Sequence, residues 1–449
     1  MTTTPNAPSA FDLHHPPAPE LIDKCVHCGF CLPTCPTYTL WGEEMDSPRG
    51  RIYLMKLAAD GKTEMTPNWV QHFDTCLGCM ACMTACPSGV DYGKLIEATR
   101  AQIERNYPRS IAEKIYRQLL FATFTRPDRL HLLRWPILAY QKSGLQMLAR
   151  KSGLLNFLPK KLAAAEMLLP TLGAAESIPE LTPAIGEKRL RVGLLLGCVQ
   201  REFLPQINAA TVRVLAAEGC EVVAPKSQHC CGALMVHAGE ESPALELARK
   251  TIDVFERADV KFIVTNAAGC GSNVKEYGHL LRDDPQYAAR AKAFAAKCGD
   301  ISEVLADLPP RAKRNPIQWQ SRSAKSASPA PLRVAFHDSC HLQHAQGVRS
   351  QPRSLLSQIP GVTLLEIPES PICCGSAGIY NLVQPNAANA LGDRKAELIA
   401  PLNADVIATG NPGCLLQLQS SLARRGAHTP VVHTIQLLDA SLRGENWRI

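Results

Sequence analysis

Residues 25–36 read CVHCGFCLPTCP, and residues 76–87 read CLGCMACMTACP. Each stretch spaces four cysteines as C-x2-C-x2-C-x3-C and follows the last with proline. The first supplies Cys25, Cys28, Cys31, Cys35 and Pro36; the second supplies Cys76, Cys79, Cys82, Cys86 and Pro87. Three thiolates so close together wrap one loop around a single cluster, each taking one iron. The fourth starts a departing segment and points to a second cluster. The proline after it has no N–H to donate, so a helix cannot be extended through that point. This is the signature of a domain holding two [4Fe–4S] clusters. By its cross-over rule, Cys25, Cys28, Cys31 and Cys86 are expected to hold one cluster. Cys76, Cys79, Cys82 and Cys35 are expected to hold the other. Zinc is the competing reading. It prefers paired C-x2-C units with a long gap between them, which three close cysteines twice over fit poorly.

The segment between the motifs, residues 36–75, is too long for a tight β-hairpin. Within it, SPRGRIYLMKLA offers Ser47 as N-cap and Pro48 at the first helical position, so a helical ferredoxin is predicted. Arg49 and Arg51 fall at that helix start. A solvated helix end is the expectation for each, with a place beside a cluster, raising its potential, as the alternative.

Outward from these motifs, the chain has 449 residues, a prior for about three domains. Its net charge of +7 is too weak to argue for nucleic acid, and no basic helix carries a recognisable binding motif. A hydrophobic content of 46% excludes wholesale disorder. No apolar run reaches the roughly 18 residues of a membrane span. The start, MTTTPNAPSA, lacks the basic-then-apolar pattern of a secretory signal, so a cytoplasmic chain is expected. There, 18 cysteines point to metal or redox work and not to disulfides.

Residues 1–19, with five prolines, read as a flexible tail, and residues 20–109 as the ferredoxin-type domain. Residues 110–189 read as a helical connector and linker. Its part from Ser110 to Pro170 has no cysteine, ten Lys/Arg against three Asp/Glu, and helical apolar patterning at Ile115, Leu119, Leu120 and Phe124. Packing on the ferredoxin domain is the favoured expectation for it; lying on anionic lipid is the alternative. Residues 309–331, rich in Pro, Ser and positive charge, read as a second linker.

The stretches on either side, 190–308 and 332–449, are an internal repeat. Cys198, Cys230–Cys231 and Cys270 are separated by steps of 32 and 39 residues; Cys340, Cys373–Cys374 and Cys414 are separated by 33 and 40. Each copy alternates short buried strands (RVGLLLGC, CEVVAP and KFIVT; RVAFHDSC, VTLLEIP and DVIATGNPGC) with helices, as a parallel α/β sheet does. The cysteines fall just beyond the carboxyl ends of the strands, where sites form in open sheets. The predicted fold is therefore multidomain, α+β and α/β: a helical two-cluster ferredoxin domain followed by two duplicated α/β domains marked by CCG.

All four cysteine positions recur in both copies, so these eight residues are candidate metal ligands. Cys220 and Cys298 lie opposite Val362 and Val432 and read as core. His229 lies opposite Ile372 and His341 opposite Val199, which argues against ligation. A metal role for His337, His341 and His344, clustered around Cys340, is the less favoured reading. No G-x-G-x-x-G after a strand and no P-loop is present, so no nucleotide cradle is expected.

With CVHCGFC, TCPTY, SPRGRIYL, GCGSNVKEYG after Ala268, LQHAQ at 342–346 and CCGSAGIYNL at 373–382, the chain resembles the iron–sulfur subunits of glycolate oxidase from about residue 20 onward. The resemblance implies an electron-transfer subunit, with no catalytic residue of its own, in a complex oxidising glycolate to glyoxylate. It further implies partner subunits of flavin-binding type holding FAD, and a quinone or other membrane acceptor. The place implied is peripheral, on the cytoplasmic face of the inner membrane. Lactate-utilisation proteins, anaerobic glycerol-3-phosphate dehydrogenase and heterodisulfide reductase share the domain order. An iron–sulfur subunit of a lactate or glycerol-3-phosphate dehydrogenase, or a heterodisulfide-reductase-like enzyme, is therefore the alternative. In heterodisulfide reductase relatives the last cysteine of each repeat belongs to a C-x2-C pair. Here Ala267, Asn273, Asn411 and Gln417 occupy the positions three away. That argues against a five-thiolate cluster and leaves a four-thiolate iron–sulfur centre or zinc as the expectation for the repeats. Glycolate over lactate rests on the resemblance alone.

Overall fold

The structure, a computed structural model, describes residues 9–173, 176–320, 331–444 and 446–448. Among the described residues before 110 there are helices and no strand. Local chemistry sets their starts. Ser47 accepts the Gly50 N–H, with Pro48 in the first turn of the helix Pro48–Ala59. Thr66 does the same for Trp69 at the helix Pro67–Asp74, and Asp91 for Lys94 at Tyr92–Asn106. The three helices bury Ile52, Met55, Trp69, Phe73, Leu95 and Ile96 against one another.

The tail expected over residues 1–19 is a packed segment from Ser9 onward; residues 1–8 lie outside the described residues. Phe11 is buried, its ring 6.1 Å from that of Trp69. Asp12 accepts from Arg105 Nε at 3.0 Å and Gln102 Nε2 at 2.9 Å. Proline content suggested a loose end; an aromatic anchor, the Asp12–Arg105 ion pair and the bonds of His15 to Glu241 and Asp283 hold it down.

The connector forms the helices Ile111–Phe124, Pro127–Lys142, Leu145–Lys151 and Lys160–Met167. Its buried side chains face the repeats more than the ferredoxin domain. Leu120 and Phe121 pack with Ala238, Ile379 and Leu382, and Leu130 packs with Cys198, Phe203 and Cys230. Arg117 bridges both, donating to Glu104 and to the Ala238 carbonyl. The favoured expectation of a connector on the ferredoxin domain is corrected to that extent.

The first repeat begins with β1 (Leu181–Thr182), an edge strand drawn from the linker. It continues with β2 (Leu190–Leu195), β3 (Cys220–Val223), β4 (Phe262–Thr265) and β5 (Cys298–Asp300). Their order is β1-β3-β2-β4-β5, parallel except for β1. Next comes β6 (Gln318–Gln320), then the second repeat with β7 (Leu332–His337), β8 (Val362–Glu366), β9 (Val406–Thr409) and β10 (Val431–His433), in the all-parallel order β10-β9-β7-β8. Last is β11 (Asn446–Arg448), which pairs with β6. The second linker is therefore structured as far as Gln320, with Trp319 buried; residues 321–330 of that reading lie outside the described residues.

The repeats share one core, in which Ile207, Val214 and Leu215 meet Leu437 and Leu438. Arg213 spans the seam to Asp439 at 2.8 Å. Cys220 is fully buried in that core, and Cys298 packs on the first repeat's own cluster, as the valines opposite them implied. No helix among the described residues is long and apolar enough to cross a membrane.

Candidate metal centres

The two ferredoxin motifs fold as loops that turn through left-handed residues, His27 and Gly29 in the first and Gly78 and Met80 in the second. Each fourth cysteine has thiols of the other motif as neighbours. Cys86 and Cys28 are the thiols that act on Cys25. Cys35 stands with Cys76 and Cys79, and the neighbours that raise the Cys82 thiol, after burial, are Cys79, Cys76, Cys35 and Cys31. Cys35 is the N-cap of the helix Pro36–Trp41, which carries the chain away from its own loop.

The two sets differ in surroundings. Cys28 is exposed, and Cys25, Cys31 and Cys86 are half-buried; Cys35, Cys76, Cys79 and Cys82 are buried. Arg51 lies in the buried set, only 1% exposed. It donates to the Asp46 carbonyl at 2.6 Å, to Asp46 Oδ1 at 3.1 Å, and to Thr37 and Thr75. The expected solvated helix end is thus wrong for Arg51. Burial pushes the Cys76 thiol up, but Arg51, Arg100 and the Gly78 N–H outweigh it and hold Cys76 below its ordinary value. Arg49 is neutralised by Glu44 at 2.6 Å and clamps the first loop through the His27 carbonyl.

The second motif is wedged between the repeats. Arg100 donates to the carbonyls of Phe73 and Cys76 on one side and of His237 on the other. Gly239 makes that approach possible, because a Cβ there would overlap the Arg100 carbonyl. From the second repeat, Tyr380 Oη donates to the Thr75 carbonyl at 3.0 Å, His341 Nε2 meets the Gly78 carbonyl at 3.0 Å, and His344 Nδ1 meets Thr84 Oγ1 at 2.8 Å. Cys79 packs in one cluster with Cys340 and Cys373. Sequence reasoning missed Arg100 and Tyr380. Their partners are distant in the chain, and nothing local marks them.

In each repeat the four cysteines converge as the strand ends predict. Cys230 lies against Cys198 and Cys231, and Cys231 against Cys270. In the second repeat Cys340 Sγ is 3.9 Å from Cys373 Sγ, and Cys374 lies against Cys414. The glycine after each pair is left-handed, φ 85° at Gly232 and 92° at Gly375, which explains the G of CCG. Of the positions three from the last cysteines, Asn411 donates to Cys414 Sγ at 3.4 Å, and Asn273 donates to the Cys231 carbonyl at 2.7 Å. A cavity of about 370 Å³ lies between the two cysteine groups, bounded also by Cys76, the connector, and His237 and His341, whose rings are 4.8 Å apart.

The histidines around Cys340 separate. His341 and His344 are held by the bonds above and by Ser272 and Pro371. His229 is exposed. His337 instead faces Cys374 and Cys414.

These donor sets fit iron–sulfur groups: thiols in fours, all but Cys28 buried or half-buried, with N–H groups and guanidinium charge beside them. Fold and site together define a dicluster ferredoxin-type protein fused to a duplicated cysteine-rich domain. Comparison with known proteins agrees. The 4Fe-4S dicluster domain matches residues 21–90, the cysteine-rich domain matches 192–275 and 334–419, and the glycolate oxidase iron-sulfur subunit linker region matches 112–169. The chain is 40% identical to the probable glycolate oxidase iron-sulfur subunit of Bacillus subtilis, covering 93% of each chain. It is 37% identical to the glycolate oxidase iron-sulfur subunit of Escherichia coli, over 95% of this chain and 96% of that one. Lactate utilization protein A of an Exiguobacterium species is 28% identical over 56% of this chain and 98% of its own. The chain belongs to the family of glycolate oxidase iron–sulfur subunits.

Proposed function

We propose that this chain is the electron-transfer subunit of a complex oxidising glycolate to glyoxylate. It takes electrons from an FAD-holding partner and delivers them toward a quinone-type acceptor. The observation that carries the reading is the series of neighbouring thiols from exposed Cys28, through Cys31, Cys35 and Cys79, to Cys340 and Cys373 of the second repeat. In it, Cys25, Cys28, Cys31 and Cys86 hold an outer [4Fe–4S] cluster, and Cys76, Cys79, Cys82 and Cys35 an inner one. The eight cysteines of the repeats hold at least one further iron–sulfur or zinc centre. Bound clusters supply one-electron redox chemistry, which a two-electron flavin reaction needs to reach a separate acceptor. The chain's own residues orient and insulate that path. Arg51 and Arg100 set the charge at the inner set, while Tyr380, His341 and Arg100 fix it against the repeats.

The connector suits a peripheral place on an anionic membrane face on the cytoplasmic side. Ile111, Ile115, Leu132, Trp135, Leu148 and Phe157 are exposed on it, amid its excess of basic residues. Neutralising Lys142, Lys151 and Lys160 together is expected to weaken binding to anionic vesicles by about 100-fold, at about 1 kcal/mol per charge. Sedimentation with vesicles checks this; unchanged binding removes the membrane role.

The functional test is reduction. When the chain is mixed without oxygen with its flavin-binding partners, glycolate is expected to bleach the cluster absorbance and produce the paramagnetic signals of reduced clusters. Lactate or glycerol 3-phosphate acting in its place would assign the chain to another dehydrogenase, and no reduction by any of them would refute the proposal.

A further inference from the structure

The two repeats agree at every cysteine and differ beside them. Counting back from Cys340, His337 takes the position that Leu195 has before Cys198. Counting on from the paired cysteines, Lys395 takes the position of Ile252. Both pairs are buried, so the second repeat encloses an imidazole and an ammonium where the first encloses two aliphatic side chains.

His337 ends β7, is 1% exposed, and its Nδ1 has no hydrogen-bond partner among the described residues. Such a buried nitrogen is costly unless something binds it. One donor atom each from His337, Cys374 and Cys414 lie within 4.8 Å of one another. Metal–sulfur bonds of about 2.3 Å and metal–nitrogen bonds of about 2.0–2.1 Å place the donors of one tetrahedral ion about 3.5–4 Å apart, a spacing within the bound on this trio, so a small closure of the three seats one ion. Among the described residues, no comparable trio of donors forms in the first repeat. Lys395 is held in place beside this repeat's site by its Nζ, which donates to the Glu369 carbonyl at 2.6 Å.

We propose that His337, Cys374 and Cys414 bind one thiophilic transition-metal ion, so that the second repeat carries a mixed sulfur–nitrogen centre and the first an all-sulfur one. The ion is zinc or the nitrogen-bound iron of a small cluster, since both take thiolate and imidazole. This rests on the reading of the repeats as metal sites.

The test uses the full chain purified without oxygen, as wild type, His337→Leu and His337→Cys. Iron, sulfide and zinc are counted per chain. Zinc X-ray absorption reads the zinc sphere, and pulsed paramagnetic resonance reads nitrogen coupling to reduced iron. The expected result is one nitrogen in the wild-type sphere, on zinc or on iron according to which metal is present. His337→Leu loses it together with one centre's metal, and His337→Cys keeps the metal in an all-sulfur sphere. The signals of the ferredoxin clusters, unchanged throughout, show that the variants fold. An all-sulfur wild-type sphere, or one that His337→Leu leaves the same, overturns the proposal. So does metal amounting only to the about eight irons of two cubane clusters, a result that leaves the electron-transfer reading standing.

Discussion

The two ferredoxin motifs share one spacing and fold into opposite settings. The first meets solvent at Cys28, and its nearby arginine is neutralised by Glu44. The second is buried against the second repeat and braced to the first through Arg100, with the charges of Arg51 and Arg100 acting on Cys76. Spacing therefore decides what a motif binds, and the packing around it decides what it faces. On the proposed function, the exposed end is the one that faces a partner and the buried end the one that leads to the repeats.

The largest expected effect comes from breaking the enclosed end. Cys76→Ser should remove about four irons per chain and lower glycolate-dependent acceptor reduction at least 100-fold, read by iron analysis and turnover. A normal rate would mean that electrons bypass the second motif. The crossing of the fourth cysteines gives the next test. Cys35→Ser should disturb the inner cluster although it belongs to the first motif, and Cys86→Ser the outer one although it belongs to the second. Paramagnetic resonance separates the two; damage confined to each residue's own motif would refute the crossing.

Arg51→Leu sharpens the contrast in charge. It strands Asp46 without its buried partner, so stability should fall by about 3–5 kcal/mol by denaturant unfolding. In protein that still folds, the inner cluster should become harder to reduce while the outer one stays as it was. The smallest effect belongs to Tyr380→Phe, which removes one hydrogen bond to the Thr75 carbonyl. A loss of about 1 kcal/mol is expected, with both clusters retained.

Much of this was legible in the sequence because it is local. The cysteine spacings, Ser47–Pro48 at a helix start, and the strands before each cysteine each depend on a few adjacent residues. The repeat was legible because two copies test each other, which also placed Cys220 and Cys298 in the core. Arg51 was misread because SPRGR looks like an exposed helix end. Its burial depends on Asp46, Thr37, His72 and Thr75, brought together only by folding. Phe11 and the β6–β11 pair were hidden by proline- and serine-rich neighbours that suggested loose chain. The connector's amphipathic pattern showed that one face is buried without saying against what. The sequence marked His337 only as one of three histidines near Cys340, and Lys395 shows only as a position where the two copies fail to repeat.

The most direct test of the central claim is the content of iron, acid-labile sulfide and zinc in the full chain purified without oxygen. Two crossed thiolate quartets require at least about eight irons and about eight sulfides per chain, with further metal according to what the repeats hold. Zinc in place of that iron, with little or no sulfide, would contradict the account.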